Sequence, residues 1–487
     1  MRLNIGSACT TVGNVETHEL IRVVEQDAGH SFETNVPNTI NSGVFNAVTK
    51  RTSVPFSRGS LHSIESRLTI VIPCKDEDTS ILIGVLLGIP HDCLIIIVSN
   101  STPSNFEAEC RLLEKFCDDT QRPGIAVHQQ DKDLAHAFQT AGMVDLVEKH
   151  LPDGKQNTTW RVRNGKGEGM IIGTAVAKLA GKQFVGFIDA DNLVTGAVNE
   201  YCKVFAAGLH YALRCTKSGD SDAGSEPDTM VRIKWNSKPK VKDNQLVFEK
   251  SGRSSRVVNE WMNRLLDTIV DNNKPSDIIQ TANAGDHAMG INLAMKLRFA
   301  TGYAVEPAQL VDAWERFGAP ILLHSQTGVK HAPPNRSTCC SHDSNAGSNE
   351  VTPVSANSSS STTSSYFSPS TIRPPTPTSQ KIRILQVETC SPHFHDTSKG
   401  DDHIQKMQAD GLSTIYHSSL IPAKLKEELR VYLKDNLPDV IGVDGVPKKA
   451  AVYPPMEMMD YEVFGQAVKA SAETLKIFGD MEGKVLV

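Results

Sequence analysis

Four short stretches place together residue types that could do chemistry on an anion. Residues 184–192 read FVGFIDADN, an apolar run that ends in Asp189 and Asp191. Side chains at i and i+2 on an extended backbone project to the same side about 7 Å apart. Two like charges are thereby delivered to one point, a costly arrangement that a hard divalent cation relieves, with diphosphate oxygens able to complete the ion's shell. Residues 163–170, RNGKGEGM, set Arg163 and Lys166 among glycines at the opening of a helical pattern. That is how a chain gathers cations and backbone N–H groups around a phosphate. No GK[ST] follows, so this is not a Walker loop, and the spacing does not match the dinucleotide fingerprint. Residues 281–290, TANAGDHAMG, concentrate Asn283, Asp286 and His287 just ahead of an expected helix over 288–299. Capping by Asp286 would account for one of the three. Residues 391–396, SPHFHD, put His393 and His395 two apart; one imidazole added to two aspartates makes a site for Mn, Co or a tolerant Mg. Taken singly, each stretch has a plainer reading: an acidic turn after a strand, a solvated glycine turn, a helix cap, a packed histidine pair.

Stepping outward from these residues, the elements that must position them alternate. RLTIVIPCKDED, CLIIIVSNS, IAVHQQD and FVGFIDADN each read as a strand whose carboxyl end turns polar. This is the pattern of a doubly wound parallel sheet, in which ligands sit beyond the carboxyl ends of the strands. Residues 167–181, GEGMIIGTAVAKLAG, form a helix closed by a glycine between the third strand and the aspartate strand. In SRVVNEWMNRLLDTIVDNN an apolar pair recurs every four residues (Val257 and Val258, Trp261 and Met262, Leu265 and Leu266, Ile269 and Val270), one buried stripe with Trp261 in the core.

The chain of 487 residues is 39% hydrophobic, ample for a packed core, and its 50 basic against 56 acidic residues give a net charge of −6. That balance argues against nucleic acid as the main partner. Ten cysteines without a CxxC pair argue against zinc ribbons and disulfide scaffolds and for a reducing compartment. The longest apolar run, residues 81–89, is far short of the roughly 20 residues a membrane span needs, and the N-terminus lacks a signal-peptide core. A cytoplasmic enzyme or binding protein with no membrane partner is expected. From about His331 to Gln380 the chain is Ser, Thr, Pro and Asn with almost no aliphatic residues, and disorder is expected there. Strand-like alternation returns at Ile382–Val387. The boundaries drawn are a nucleotide-binding and catalytic domain over 1–325, an insertion over 326–380, and a segment over 381–487 that completes the core; its tail, YEVFGQAVKASAETLKIFGDMEGK, either packs on that core or stands as a separate helix.

Together, VIPCKDE, GIPHDCLIIIVSNS, VRNGKGEGMI, FVGFIDADN, TANAGDHAM, GYAVEPAQLVD and ETCSPHFHD, in this order, resemble the mannosyl-3-phosphoglycerate synthase family. The resemblance spans nearly all of residues 1–320 and resumes from Lys381 to about Leu425. It implies an α/β fold of GT-A type, a Rossmann-like mixed sheet flanked by helices, in a retaining glycosyltransferase that takes GDP-mannose and 3-phosphoglycerate and leaves room for a homodimer. On that resemblance DAD matches the family's DXD motif, so Asp189 and Asp191 would bind the divalent metal (Mg, Mn or Co), with His393, or alternatively His395, as the third ligand. Pro73, Glu77, Asn100, Gln129 and Asp131 would line the guanosine pocket, with Ala190 beside the sugar nucleotide. Arg163, Lys166 and the N–H groups near Gly169 would hold a phosphate. Asn283 and Asp286 would serve the sugar and acceptor side, and with Lys166 are the catalytic candidates. The family's first-strand motif reads closer to PTRNE, whereas Lys75 here keeps a cation but not the guanidinium fork.

The chemistry asks for charge stabilisation. GDP leaves with negative charge that the metal and Lys166 would neutralise, and a front-face displacement needs no protein nucleophile. Asp286 would orient or act electrostatically, unlike the paired carboxylates of a retaining glycosidase. The rival readings are a haloacid-type sugar phosphatase, which wants Thr where Leu193 stands, and a nucleotide-sugar-binding protein without turnover.

Overall fold

The computed structural model describes residues 1–26, 51–151, 158–216, 228–242, 245–249, 252–272, 275–318, 381–394, 401–471 and 473–479. Five N-terminal strands precede the run that carries the site: β1 (Arg2–Gly6), β2 (Ile21–Glu25) and β3 (Arg51–Pro55) lie on the main path of the sheet, while Cys9–Val12 and Val15–His18 pair off that path. Next come β4 (Leu68–Cys74), α1 (Thr79–Gly88), β5 (Leu94–Ser99), α2 (Pro103–Thr120), β6 (Gly124–His128), α3 (Lys132–Thr140), α4 (Lys166–Leu179), β7 (Phe184–Phe187) and α5 (Thr195–Thr216). The second half adds β8 (Asp228–Lys234), α6 (Arg253–Ile269), β9 (His287–Gly290), α7 (Ile291–Lys296) and α8 (Val305–Ala313). Beyond the insertion lie β10 (Ile382–Glu388), α9 (Asp401–Tyr416), α10 (Ala423–Asn436), α11 (Tyr461–Ala470) and β11 (Leu475–Phe478).

One large mixed sheet runs in the order β11-β6-β5-β4-β7-β9-β8-β10-β2-β1-β3. Strands β6, β5, β4 and β7 are mutually parallel, so their carboxyl ends lie along one edge, as the sequence pattern requires. The sheet as a whole is not doubly wound and parallel. Antiparallel β9 lies between β7 and β8, and β11 closes the far edge antiparallel to β6. Mixed α/β with helices on both faces is the architecture the resemblance implies.

Burial on both faces dictates the strand sequences. Val71 of β4 packs with α3 and α4 in one core cluster, while Ile70 and Ile72 pack with α1, α2 and α5 in the other. A strand covered twice reads as a continuous apolar run. The same physics overturns the helix expected over 288–299. Ala288 and Met289 are fully buried and hydrogen-bond to strands on both sides, so residues 287–290 are a central strand and the helix begins only at Ile291. The run is too short for its periodicity to distinguish the two states.

Helix α4 ends as expected: Gly181 is left-handed at φ +66°, its N–H donates to the Lys178 carbonyl, and Lys182 donates to Ala177, a Schellman closure. In α6 the stripe of Val258, Trp261, Met262, Leu265 and Leu266 is buried, and Trp261 is core at 4% exposure. After the insertion the chain re-enters the sheet centre, because β10 pairs in parallel with β8 over seven residue pairs. The tail packs on the core: Phe464 of α11 meets Phe138 with ring centroids 4.7 Å apart, and β11 joins the sheet. The insertion over 326–380 lies outside the described residues. Among the described residues no helix is long and apolar enough to cross a membrane.

Candidate active site

A cleft of about 1100 Å³ opens at the carboxyl ends of β4, β5, β6 and β7. Pro73, Glu77, Asn100, Gln129, Lys166, Asp189, Ala190, Asp191, Asn283 and His393 all line it, so the fold gathers most of the residues singled out in the sequence. At its centre the Lys166 ammonium lies 2.6 Å from Asp189 Oδ1 and 2.8 Å from Glu306 Oε1. Burial works against this charge, but Asp189 and Glu306 more than offset it and hold Lys166 well above its ordinary range. Gly285 makes the close approach possible. A Cβ there would stand 2.4 Å from Asp189 Oδ2 and 2.7 Å from Lys166 Nζ. Neither Glu306 nor Gly285 was singled out in the sequence; Glu306 lies inside the quoted GYAVEPAQLVD, where a carboxylate on an apolar helix gave the only signal.

The loop after β7 and the loop after β10 are fastened together. The Leu193 N–H donates to the Phe394 carbonyl over 2.8 Å, and Asn192 Nδ2 lies 3.4 Å from His393 Nδ1. The His393 ring stacks on Trp235 with centroids 4.0 Å apart at 13°, and the indole N–H donates to Asp286 Oδ2 over 2.9 Å. Asp286 Oδ1 accepts the Asp189 backbone N–H over 3.1 Å, and Asp286 Oδ2 lies 3.9 Å from His393 Nδ1. Asp286 is fully buried. Burial, reinforced by the charge of Asp189, pushes its carboxyl up to about 7. It lies behind the cleft wall and does not line it, where its two carboxylate oxygens brace the Asp189 backbone and the indole of the Trp235–His393 stack. Trp235 was missed because a lone Trp after a strand carries no signal of what it will stack on.

His393 is 2% exposed at the cleft; His395 lies outside the described residues. Two carboxylates of one loop and an imidazole fastened to that loop form a donor set that suits a divalent metal. The three are not drawn as tightly together as a bound ion would hold them. Among the described residues the trio of His, Cys, Asp or Glu whose donor atoms all lie within 4.8 Å is His62, Glu65 and Asp92, elsewhere on the molecule.

Three of the residues singled out in the sequence do not line the cleft. Arg163 does not line the cleft: its Nε donates to the Asp145 carbonyl and its Nη1 pairs with Glu148 at 3.2 Å, because the antiparallel pair Val147–His150 and Thr159–Val162 places Glu148 within its reach. Asp131 instead caps α3, accepting the N–H groups of Asp133 and Leu134. The Gly169 N–H is spent inside the helix on the Gly165 carbonyl; the N–H groups with no intrahelical partner at this end belong to Lys166, Gly167 and Glu168. Gly167 is required for packing, since a Cβ there would meet the Ala300 carbonyl at 1.9 Å. Asn283 does line the cleft, and its Nδ2 donates to Ser254 Oγ over 2.8 Å. His287 turns inward, its Nδ1 against the carbonyls of Ala284 and Gly285. Gln129 spans the Gly-rich turn, donating to the Arg163 and Gly165 carbonyls.

The family model for mannosyl-3-phosphoglycerate synthase matches residues 5–468, extending beyond the stretch over which the motifs were recognised. The mannosyl-3-phosphoglycerate synthase of Pyrococcus furiosus is 34% identical over 433 residues, which cover 88% of this chain and 90% of that protein. That of Aeropyrum pernix is 29% identical over 420 residues, covering 86% and 88%. A solved structure of glucosyl-3-phosphoglycerate synthase from Mycobacterium tuberculosis, in complex with Mn2+, UDP-glucose and phosphoglyceric acid, is 14% identical with a TM-score of 0.43, covering 83% of this chain and 95% of that one. With a family match over almost its whole length and a close relative aligned along nearly nine-tenths of it, this chain belongs to the mannosyl-3-phosphoglycerate synthase family of glycosyltransferases.

Proposed function

We propose that the cleft transfers mannose from GDP-mannose to 3-phosphoglycerate with retention of configuration. The observation that carries this reading is the convergence of Asp189, Asp191, His393 and Lys166 on one wall at the carboxyl ends of the parallel strands, in a chain of this family. Asp189, Asp191 and His393 would hold a divalent metal, Mg, Mn or Co, which when bound supplies positive charge to the diphosphate. Lys166 is the chain's own counter-charge for that leaving group, and Glu306 keeps the ammonium in place when Asp189 turns to other partners. Pro73, Glu77, Asn100 and Gln129 form the nucleoside side. The acceptor's second anion is met where Gly252, Ser254 and Ser255 at the opening of α6, together with Lys448 and Lys449, line the cleft; Arg163, already paired, is not used. Among the side chains lining the cleft no carboxylate is needed as a nucleophile, and the departing diphosphate accepts the acceptor's proton.

The test is incubation of the protein with GDP-mannose, 3-phosphoglycerate and Mg2+ or Mn2+, followed by mass and NMR analysis. An α-linked mannosyl-3-phosphoglycerate is expected. Release of inorganic phosphate with no glycosylated product would instead support a phosphatase, and GDP-mannose binding without turnover a regulator.

A further inference from the structure

Asp76 is one of three non-glycine residues with positive φ among the described residues, at +54°. It sits where the chain leaves β4 for α1, and the residues on either side of it, Lys75 and Glu77, line the cleft. A left-handed conformation away from glycine costs free energy and persists only where the surroundings enforce it. Here they do. The Asp76 N–H donates to Ser101 Oγ over 2.7 Å, and the Ser101 hydroxyl donates in turn to Oε1 of buried Glu109 over 2.6 Å. Asp76 Oδ1 accepts from the Thr102 N–H over 2.9 Å and from Asn105 Nδ2 over 2.8 Å. The side chain is thus turned away from the cleft and clamped to the opening of α2, whose own N-cap, Thr102, makes no side-chain cap hydrogen bond.

We propose that Asp76 is a positioning residue for nucleotide selectivity: its clamped left-handed turn fixes Lys75 and Glu77 on the cleft wall so that together they read the base of the bound nucleoside diphosphate. The inference rests on the reading of this cleft as a nucleotide-sugar site. The two side chains are complementary in kind. An ionised Glu77 only accepts hydrogen bonds and Lys75 only donates. Guanine offers adjacent N–H donors beside the O6 and N7 acceptors, whereas adenine presents a ring-nitrogen acceptor where a carboxylate needs a donor. A wall with both groups held in place favours guanine; with the turn released, the two side chains on their flexible stems lose that discrimination.

Binding without turnover tests this, using calorimetric titration of the full chain with GDP and with ADP in the presence of EDTA. The parent is expected to prefer GDP. Asp76→Ala, which loses both the carboxylate clamp and the residue type that tolerates positive φ, is expected to weaken GDP about tenfold while leaving ADP nearly unchanged. Asp76→Asn keeps an Oδ1 acceptor and the tolerance for positive φ, and is expected to stay within about threefold of the parent. Asn105→Ala, which removes one donor to Asp76 without touching the turn, should shift the preference in the same direction by less, and it carries the test if Asp76→Ala does not fold. An unchanged GDP-to-ADP preference in these variants, or an equal loss of both nucleotides together with a lowered thermal midpoint, overturns the assignment and leaves Asp76 as the cap of α2. A parent that binds neither nucleotide, whether in EDTA or with Mn2+ in its place, sinks the nucleotide-sugar reading itself, and this inference with it.

Discussion

The two sides of the cleft are built differently. The side formed by the ends of β4, β5 and β6 comes from residues close in sequence to their strands, and the turns that carry it are tied to nearby helix starts by side chains directed away from the cleft, Asp76 at α2 and Asp131 at α3. The side around Asp189 and His393 is assembled across long separations: Trp235 reaches Asp286, Lys166 reaches Glu306, and the loop after β10 is fastened to the loop after β7 across about two hundred residues. Its charges are buried and answer one another. A buried charge deprived of its partner is costly, so substitutions on the long-range side should act on turnover and metal binding, while those on the strand-end side should tune nucleotide affinity.

The sharpest way to break this contrast is at the aspartates. Asp191→Ala should lower transfer by at least about a hundredfold, the scale for loss of one element of transition-state charge stabilisation, while circular dichroism and the thermal midpoint stay near the parent's, because Asp191 follows the strand and is not part of its apolar body. A folded Asp191→Ala protein with normal turnover would remove the metal-binding assignment. Next in size is the brace behind the ligands. Trp235→Phe keeps an aromatic ring against His393 but loses the indole N–H to Asp286; it should raise the Mn2+ concentration needed for half-maximal binding to the GDP complex about tenfold, the lower end for loss of a group that orients a ligand. His393→Ala should do more in the same titration, and an unaltered metal requirement in His393→Ala would return the choice to His395.

A smaller effect is one of pH. Asp286 is raised from the usual 3.8 to about 7 by burial and by Asp189. In the metal-free protein the folded state therefore keeps a proton that the unfolded chain has already lost. Its contribution to stability is fully present below the unfolded value and is lost as pH rises through the folded one, so denaturant midpoints should fall between about pH 4 and pH 7. Asp286→Asn should flatten that slope, and a variant with the parent's full slope would place the titration elsewhere. The smallest effect is expected at Arg163, partly exposed and ion-paired with Glu148. Arg163→Ala should change the KM for 3-phosphoglycerate by less than about threefold, as for other surface pairs. A loss above tenfold would mean that the arginine leaves Glu148 for the substrate, and would blur the contrast between the two sides.

The sequence alone determined what depends on local pattern. Apolar runs ending in polar residues specify strands β4, β5, β6 and β7 and put the site at their carboxyl ends, because a parallel strand covered on both faces must be apolar throughout and only its end is free to carry chemistry. The DAD motif and Lys166 were legible for the same reason. Tertiary structure decided the partners. Arg163 and Lys166 lie three residues apart in one glycine-rich turn, and no local rule separates them; Glu148 draws one to a hairpin, while Asp189 and Glu306 draw the other into the cleft. Residues 288–290 read as helix until strands on both sides claimed their backbone groups. Trp235, Glu306 and Gly285 gained their roles from side chains tens to more than a hundred residues away, and the stacking, ion pairing and close approach that define them exist only once the sheet has brought those segments together.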